Sequence, residues 1–355
     1  MIILRIFPRV AEMAGGMEAH IRWLTDEQRK SGLRCFLMMN EGTPLHDDDI
    51  MVASHRHYYD THPGFVGIFR FYFQVIKSLW RRPVQADILH LHGDWSTFIF
   101  APVLKKLTGC SRVCFSFHGM LHGGITHRWL LPWTARFCDI FFVTGYQNYQ
   151  QLAYNGKMVF QPSGIRPLFL MPSSQTVVVS GGRKRIVTTC VLRPAKNVGT
   201  VIAIARLLPE YDFIIIGDGP ERSALEAIVR ETGTANVSFE GYLPPERVKN
   251  QLERADLFLF TSLEEGTPTA VLEAMACGLP IVSSNAGGTE SVVSEGINGF
   301  VVKNNYKDAP LYIEPIQKIL TNKDLCSAIS ENNRLKIQLF SWEKVAQNIT
   351  KKSIG

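Results

Sequence analysis

Histidine is missing from the second half of this chain. All ten histidines lie between His20 and His127, as expected if two parts of the molecule do different work. There is no run of 18 apolar residues, so no transmembrane helix is expected. The seven cysteines are an odd number and form no CxxC pair. That argues against a disulfide framework and fits a reduced, cytosolic protein. The opening "MIILRIFPRVAEM" is too short and too broken by arginine for a signal peptide. Internal repeats and low-complexity tracts are also lacking. What remains is an ordinary globular mix, 46% hydrophobic and 20% charged, over 355 residues. That length exceeds one ordinary core and predicts two domains.

Charge is unevenly spread. Residues 1–165 hold 17 Lys/Arg against 12 Asp/Glu, whereas residues 166–355 hold 21 against 20. The basic excess of the first part fits an anionic partner, such as a phosphate-bearing acceptor or a membrane surface, and equally fits scatter in surface charge. Strand-like runs ("MIILRIF", "LRCFLMMN", "ADILHLHG", "SRVCFSFHG", "CDIFFVTG") alternate with helical patterns, including one from about Met17 to Ser31. This predicts βαβ units in parallel sheets. The Pro-, Gly- and Ser-rich stretch "MVFQPSGIRPLFLMPSSQTVVVSGGRKR" interrupts the alternation, as an interdomain connection would. A second series then begins: "RIVTTCVL", "YDFIIIGDG", "NVSFEGYL", "DLFLFTS", "LPIVSS" and "GFVV". The expected fold is α/β, two doubly wound Rossmann-like domains facing across a cleft. In such sheets, ligands sit beyond the carboxyl ends of the strands.

One strand end is chemically odd. "ADLFLFTSL" runs into "EEGTPTAVLEAMACG", which sets Glu265 and Glu273 on either side of a strand-to-helix corner. Thr267 is expected as the helix N-cap, with Pro268 at the first helical position and Gly278 just past the end. A helix start after a strand is an anion site that suits phosphate. Gly266 allows close approach, and the amides near Thr267, Pro268, Thr269 and Ala270 line the same turn. Carboxylates are repelled by phosphate, so Glu265 and Glu273 are expected to meet sugar and ribose hydroxyls beside it. Spacing alone fits equally well two capping or surface glutamates.

The block "SLEEGTPTAVLEAMACGLPIVSSNAGG" resembles the signature of the retaining glycosyltransferases of family 4, which have the GT-B fold, and Glu265 and Glu273 match that family's E-x7-E motif. The likeness extends over nearly the whole chain through "AGGME", "DILHLHG", "FSFHG", "IIIGDGPERSALE", "NVSFEGYLPPE", "GINGFVV" and "FSWEKV", in the family's order. It implies domains at 1–165 (acceptor) and 166–335 (nucleotide sugar), with a terminal helix at 336–355 packing back towards the first. It also implies roles for particular residues. In "VLRPAKNVG", Lys196 matches the family's diphosphate-binding lysine. The usual arginine position holds Val191, and the glycine before it is Cys190, so nearby Arg193 is the substitute or a surface residue. Gly15 and Gly16 match a glycine loop facing the diphosphate or the acceptor, where an isolated "GG" would otherwise read as a turn. His118 lies where the family puts a histidine near the transferring sugar.

Other motifs read more plainly. "GDG" at Gly217 is not a dinucleotide loop, because Arg222 stands where GxGxxG needs glycine. It reads as a tight turn, with Pro220 opening a helix beside the nucleotide. Tyr242 and Leu243, after a strand, resemble the loop that touches the base. His90 and His92 could suggest a metal pair, but no third ligand is legible and strand-end packing accounts for them. "DDD" at 47–49 reads as a solvated loop. No metal is therefore expected, and no cofactor beyond the donor. The segment "GFVGIFRFYFQVIKSLWRRP" (64–83) fits a core helix, or a face lying on an anionic membrane.

The expected activity is transfer of a sugar from a UDP- or GDP-sugar to a saccharide or lipid-linked acceptor, with retention of configuration, in polysaccharide or glycolipid synthesis. Its expected setting is cytoplasmic, peripheral to a membrane, without nucleic acid. A noncatalytic sugar-nucleotide-binding protein, or an epimerase or hydrolase on the same fold, also fits. Val191 is the feature that favours the first of these.

Overall fold

A computed structural model describes residues 1–8, 16–40, 46–52, 65–93, 97, 99–118, 135–152, 158–172 and 182–355. The chain forms two compact units: Met1–Gly164 together with Trp342–Gly355, and Ile165–Ser341.

The first unit holds a parallel sheet in the order β3-β2-β1-β4-β5-β6-β7. Its strands are β1 (Ile2–Phe7), β2 (Arg34–Asn40), β3 (Ile50–Val52), β4 (Ile88–Gly93), β5 (Arg112–Phe117), β6 (Ile140–Val143) and β7 (Met158–Phe160). The central strands are buried on both faces, as a sheet covered by helices requires. Helices α1 (Gly16–Lys30) and α2 (Phe65–Arg81) supply part of that cover. The chain moves outward from β1 to β3 and returns to place β4 beside β1. The β1/β4 edge is therefore a topological switch point, where ligands collect in this kind of sheet.

The terminal segment expected at 336–355 divides. Ile337–Phe340 is a short 3-10 turn in the second unit, and only Trp342–Ile354 is helix in the first. Trp342, Val345, Ala346 and Ile349 form one buried helical stripe, packed with Ile3, Leu24, Ile88 and Phe142. The Gln28 side-chain amide donates to Thr350 Oγ1 at 2.6 Å, tying that helix to α1.

The second unit has a parallel sheet in the order β10-β9-β8-β11-β12-β13. These strands are β8 (Arg185–Thr189), β9 (Asp212–Ile216), β10 (Val237–Gly241), β11 (Leu257–Phe260), β12 (Ile281–Ser284) and β13 (Gly299–Val302). Here the switch point lies between β8 and β11.

Local readings change in three places. The Pro/Gly/Ser-rich stretch is not connection alone, since it contains β7 and the short helix Pro167–Leu170; residues 173–181 lie outside the described residues. The three aspartates are not uniformly solvated: the Asp49 side chain is shielded in an ion pair with Arg29 at 2.7 Å. The stretch 64–83 is a helix from Phe65 to Arg81. Among the described residues, no helix is long and apolar enough to cross a membrane. All seven cysteines are free thiols.

Candidate active site

In the second unit, β8 and β11 lie side by side, and the loops leaving them are stitched together. The Leu263 N–H donates to Ala195 O at 2.8 Å. Thr261 Oγ1 donates to the carbonyls of Lys196 (3.2 Å) and Asn197 (3.1 Å). The Asn197 amide donates back to Thr261 O at 3.2 Å and to Tyr306 O at 3.1 Å. Asn197 adopts φ 52°, a left-handed turn that ends the 3-10 turn Pro194–Lys196 and starts the helix Val198–Leu207. Asparagine tolerates that conformation better than most residues do.

This stitching brings Lys196 and Glu265 together, 69 positions apart in sequence. Lys196 Nζ forms an ion pair with Glu265 Oε1. The same oxygen accepts from Ser262 Oγ at 2.9 Å. Both side chains are mostly shielded yet reach the surface, which strengthens their interaction relative to water. Glu264, the first acid of the doublet, is exposed.

The Glu265 loop packs against the backbone that follows β12. Gly287 sits at φ 62°, and a Cβ there would lie 2.4 Å from Glu265 O and 2.7 Å from Glu265 Cβ. Ser284 Oγ donates to Ser262 O at 2.6 Å. The loop that presents Glu265 is therefore held by the segment that ends and follows β12.

The corner helix starts later than its caps suggest. It runs Thr269–Ala276 with Pro268, not Thr267, at the N-cap, and no side chain caps it. The Pro268 carbonyl accepts the first helical bonds, from Val271 and Leu272. Gly266 and Thr267 form the bend before it, with Thr269 exposed and Ala270 half-buried at the helix start. Gly278, at φ 77°, stands just past the helix end as expected.

Glu273 is buried, and its Oε1 accepts two bonds from Arg166, from Nε at 2.8 Å and from Nη2 at 2.6 Å. Burial pushes the Glu273 carboxyl up, and Arg166 works against that shift. Arg166 is a site residue the sequence reading missed; "SGIRP" offers no signal beyond a lone charge among apolar and turn residues. The expected ribose contact at Glu273 must share the carboxylate with this arginine.

The remaining positions separate. Arg193 is exposed, with Val191 also half-exposed beside it. Gly217, at φ 131°, is needed for packing: a Cβ there would fall 1.8 Å from Cys190 O. Pro220 does not open a helix; the helix Arg222–Thr232 begins two residues on, with Glu221 at its N-cap position. Tyr242 is 77% exposed after β10, while Leu243 packs against the core.

In the first unit, Gly16 opens α1 and is exposed; Gly15 lies outside the described residues. The β1/β4 switch point carries a group of imidazoles. His90 and His92 lie on one face of β4, His20 comes from α1, and His118 follows β5. His92 Nδ1 is 3.2 Å from His118 Nε2, His20 Nδ1 meets Ser163 Oγ at 2.8 Å, and His90 Nε2 meets Ser116 Oγ at 2.8 Å. The third imidazole that the sequence did not reveal is thus present. Nitrogens of His20, His92 and His118 lie within 4.8 Å of one another, a spacing that could hold a cation. No carboxylate belongs to that set, and the fully buried Arg5 sits close enough for its charge to oppose cations at His20, His90 and His92. Burial and these charges hold the imidazoles neutral, which is also the form in which histidine binds a metal ion.

Burial lowers all four histidines, His118 to about 3. Groups depressed in the folded state keep their full stabilising effect above their ordinary value near 6.5 and lose it as pH falls below that. Acidification from about pH 6.5 to 5 should therefore destabilise the first unit, by up to about 1.4 kcal/mol per pH unit for each histidine held neutral. Thermal melts across that range check this. A His92→Gln variant should show a shallower slope, and melts independent of pH would contradict the argument.

Residues 14–155 match the model described as Glycosyltransferase Family 4, and residues 174–336 match Glycosyl transferases group 1. The chain belongs to the GT-B glycosyltransferases, and these two modules span most of it.

Among curated relatives, an uncharacterized glycosyltransferase of Methanocaldococcus jannaschii is 27% identical over 159 residues, 44% of each chain. The chain thus spans under half the length of that relative. A phosphatidylinositol N-acetylglucosaminyltransferase subunit from Arabidopsis thaliana is 23% identical over 359 aligned residues, 94% of this chain and 77% of that protein. The Escherichia coli UDP-Gal:alpha-D-GlcNAc-diphosphoundecaprenol alpha-1,3-galactosyltransferase is 25% identical over 71% of this chain and 70% of its own. Two solved structures share the fold. Sucrose-phosphate synthase of Thermosynechococcus elongatus has a TM-score of 0.81 at 18% identity, covering 99% of this chain and 97% of its own. Anabaena HepE, solved with UDP, has a TM-score of 0.79 at 17% identity, covering 99% of each.

Proposed function

We propose that this chain transfers a sugar from a nucleotide-diphosphate donor to a saccharide or lipid-linked saccharide acceptor, with retention of configuration, in cell-surface polysaccharide or glycolipid synthesis. The observation that carries the reading is the Lys196–Glu265 pair at the β8/β11 switch point, beside a helix start. A uridine diphosphate sugar is the donor favoured by the relatives' names, with a guanosine diphosphate sugar as the comparison. The chain would act on the cytoplasmic side, peripheral to a membrane.

In the proposed reaction, the bond from the anomeric carbon to the β-phosphate oxygen breaks, and the acceptor oxygen bonds to that carbon on the same face. The acceptor proton passes to the leaving phosphate. Glu265 orients the donor sugar and opposes its developing positive charge. Lys196, with Arg193 beside it and the N–H groups of Gly266, Thr267 and Ala270 around the helix start, stabilises the departing diphosphate. Lys196 thus exchanges a carboxylate partner for a phosphate one, and Glu265 is released towards the sugar. Glu273, steadied by Arg166, accepts from the ribose. Gly217, Tyr242 and Leu243 border the nucleotide, and Gly15 and Gly16 face the diphosphate or the acceptor. His118, with its Nε2 beside His92 Nδ1 at 3.2 Å, meets a sugar hydroxyl as a neutral imidazole.

Glu273→Ala should weaken nucleotide binding more than it slows the bound complex. A hydrogen bond to a charged group is worth about 1.5–3 kcal/mol, or roughly 10- to 150-fold in affinity. Calorimetry with UDP checks this, and unchanged affinity would remove the ribose role.

With cationic groups placed at the diphosphate, transfer needs no metal. Activity should therefore survive strong chelation. Complete loss in EDTA, restored by manganese, would overturn that part of the reading.

A noncatalytic sugar-nucleotide-binding protein is the second reading, favoured by Val191 in place of the family's arginine.

A further inference from the structure

Helix α2 has two apolar faces, and among the described residues only one of them is covered. Ile68, Phe71, Tyr72, Val75 and Leu79 are buried in the first unit's core. On the other side, Val66 is 63%, Phe73 64% and Trp80 75% exposed, with Phe69 partly exposed. Arg70, Lys77 and Arg81 are exposed along the same stripe, and exposed Arg82 follows. The spacing 66, 69/70, 73, 77, 80/81 follows the 3- and 4-residue steps of one helical face, about 20 Å long. Residues 65–86 contain no acidic side chain.

We propose that this face lies on an anionic lipid surface, with the α2 axis in the plane of the membrane. Apolar rings and cations alternate along one stripe, so the rings can enter the acyl boundary while the cations reach headgroup phosphates. Trp80 beside Arg81 and Arg82 places an amphipathic ring and two charges at the same depth. The alternative occupants fit less well. A second copy docked through this face would set like charges against each other, and the cores of protein interfaces are depleted in lysine. A 17-residue helix whose other face is committed to the core lies on a bilayer and does not cross it. The proposal stands on this face alone and does not depend on sugar transfer.

The test is co-sedimentation of the full chain with vesicles, either pure phosphatidylcholine or containing phosphatidylglycerol, at about 0.05 M and 0.5 M salt. Binding is expected on the phosphatidylglycerol vesicles and should weaken at least tenfold at high salt. Each basic residue near anionic lipid contributes roughly fivefold. Reversing Arg70, Lys77, Arg81 and Arg82 to glutamate should therefore lower binding by about two orders of magnitude or more. Phe73→Ser with Trp80→Ser should lower it at least tenfold at every salt concentration. These side chains are exposed, so both variants should melt like the wild type. Transfer to a water-soluble acceptor should be unchanged in both, which separates this proposal from the reading of the active site. Failure of the wild type to bind at low salt, or equal binding by all three proteins, would overturn it. A dimer lost in the Phe73/Trp80 variant, without vesicle binding, would assign the face to a second copy and also overturn it.

Discussion

Glu265→Gln should lower turnover by roughly 10²-fold or more while leaving the fold intact, as expected when one preorganised electrostatic contact is lost. The substitution keeps the size of the side chain and a hydrogen bond from Ser262, so the loop between β11 and the corner helix is preserved. What it removes is negative charge facing the donor sugar. Steady-state kinetics on a variant with a wild-type melting profile make the measurement. The loss should appear mainly in kcat, because the charge matters most when positive charge develops on the sugar. Near-normal turnover would reduce Glu265 to an ion-pair partner of Lys196.

Lys196→Ala should cost a comparable factor, roughly 10²- to 10³-fold, because a fixed cation at a leaving diphosphate stabilises charge that peaks in the transition state. The two losses should not add. Lys196 and Glu265 share one ion pair, and neighbours within one network couple. The double variant should therefore be little worse than the poorer single one. Additive losses would mean that the groups act at separate steps. A Lys196 variant with full activity would shift diphosphate stabilisation to Arg193 and the helix amides.

Much of this site was legible in sequence because its elements are local. Glu265, the corner and Glu273 fall within nine residues, and strand-to-helix periodicity places them at a strand end. The alternation of strands and helices likewise announced two parallel sheets. What stayed hidden was contact across long separations. Arg166 reaches Glu273 over 107 positions, His20 reaches Ser163 over 143, and Gln28 reaches Thr350 over 322. No local pattern carries such pairings. The imidazole group was half-visible for the same reason: His90 and His92 share a strand, but His20 and His118 arrive from α1 and the end of β5.

Cap chemistry also misled in a physical way. Thr267 and Pro268 form a favourable cap-and-first-turn pair by type, yet Pro268 takes φ −75° and ψ 74°, outside the helical region. The chain gives this turn to the Glu265 loop, which is held against Gly287, and the helix begins one step later. Residues 64–83 fitted two readings, and the structure shows why: one face of α2 is core and the other is an exposed stripe of rings and cations.

The most direct measurement is release of free UDP from UDP-sugars over time, with and without a saccharide-diphospho-polyprenol acceptor, while glycosylated product is followed in parallel. Transfer predicts steady release only when acceptor is present, matched one-for-one by product. Release independent of acceptor, or tight donor binding with no release under any condition, would contradict it.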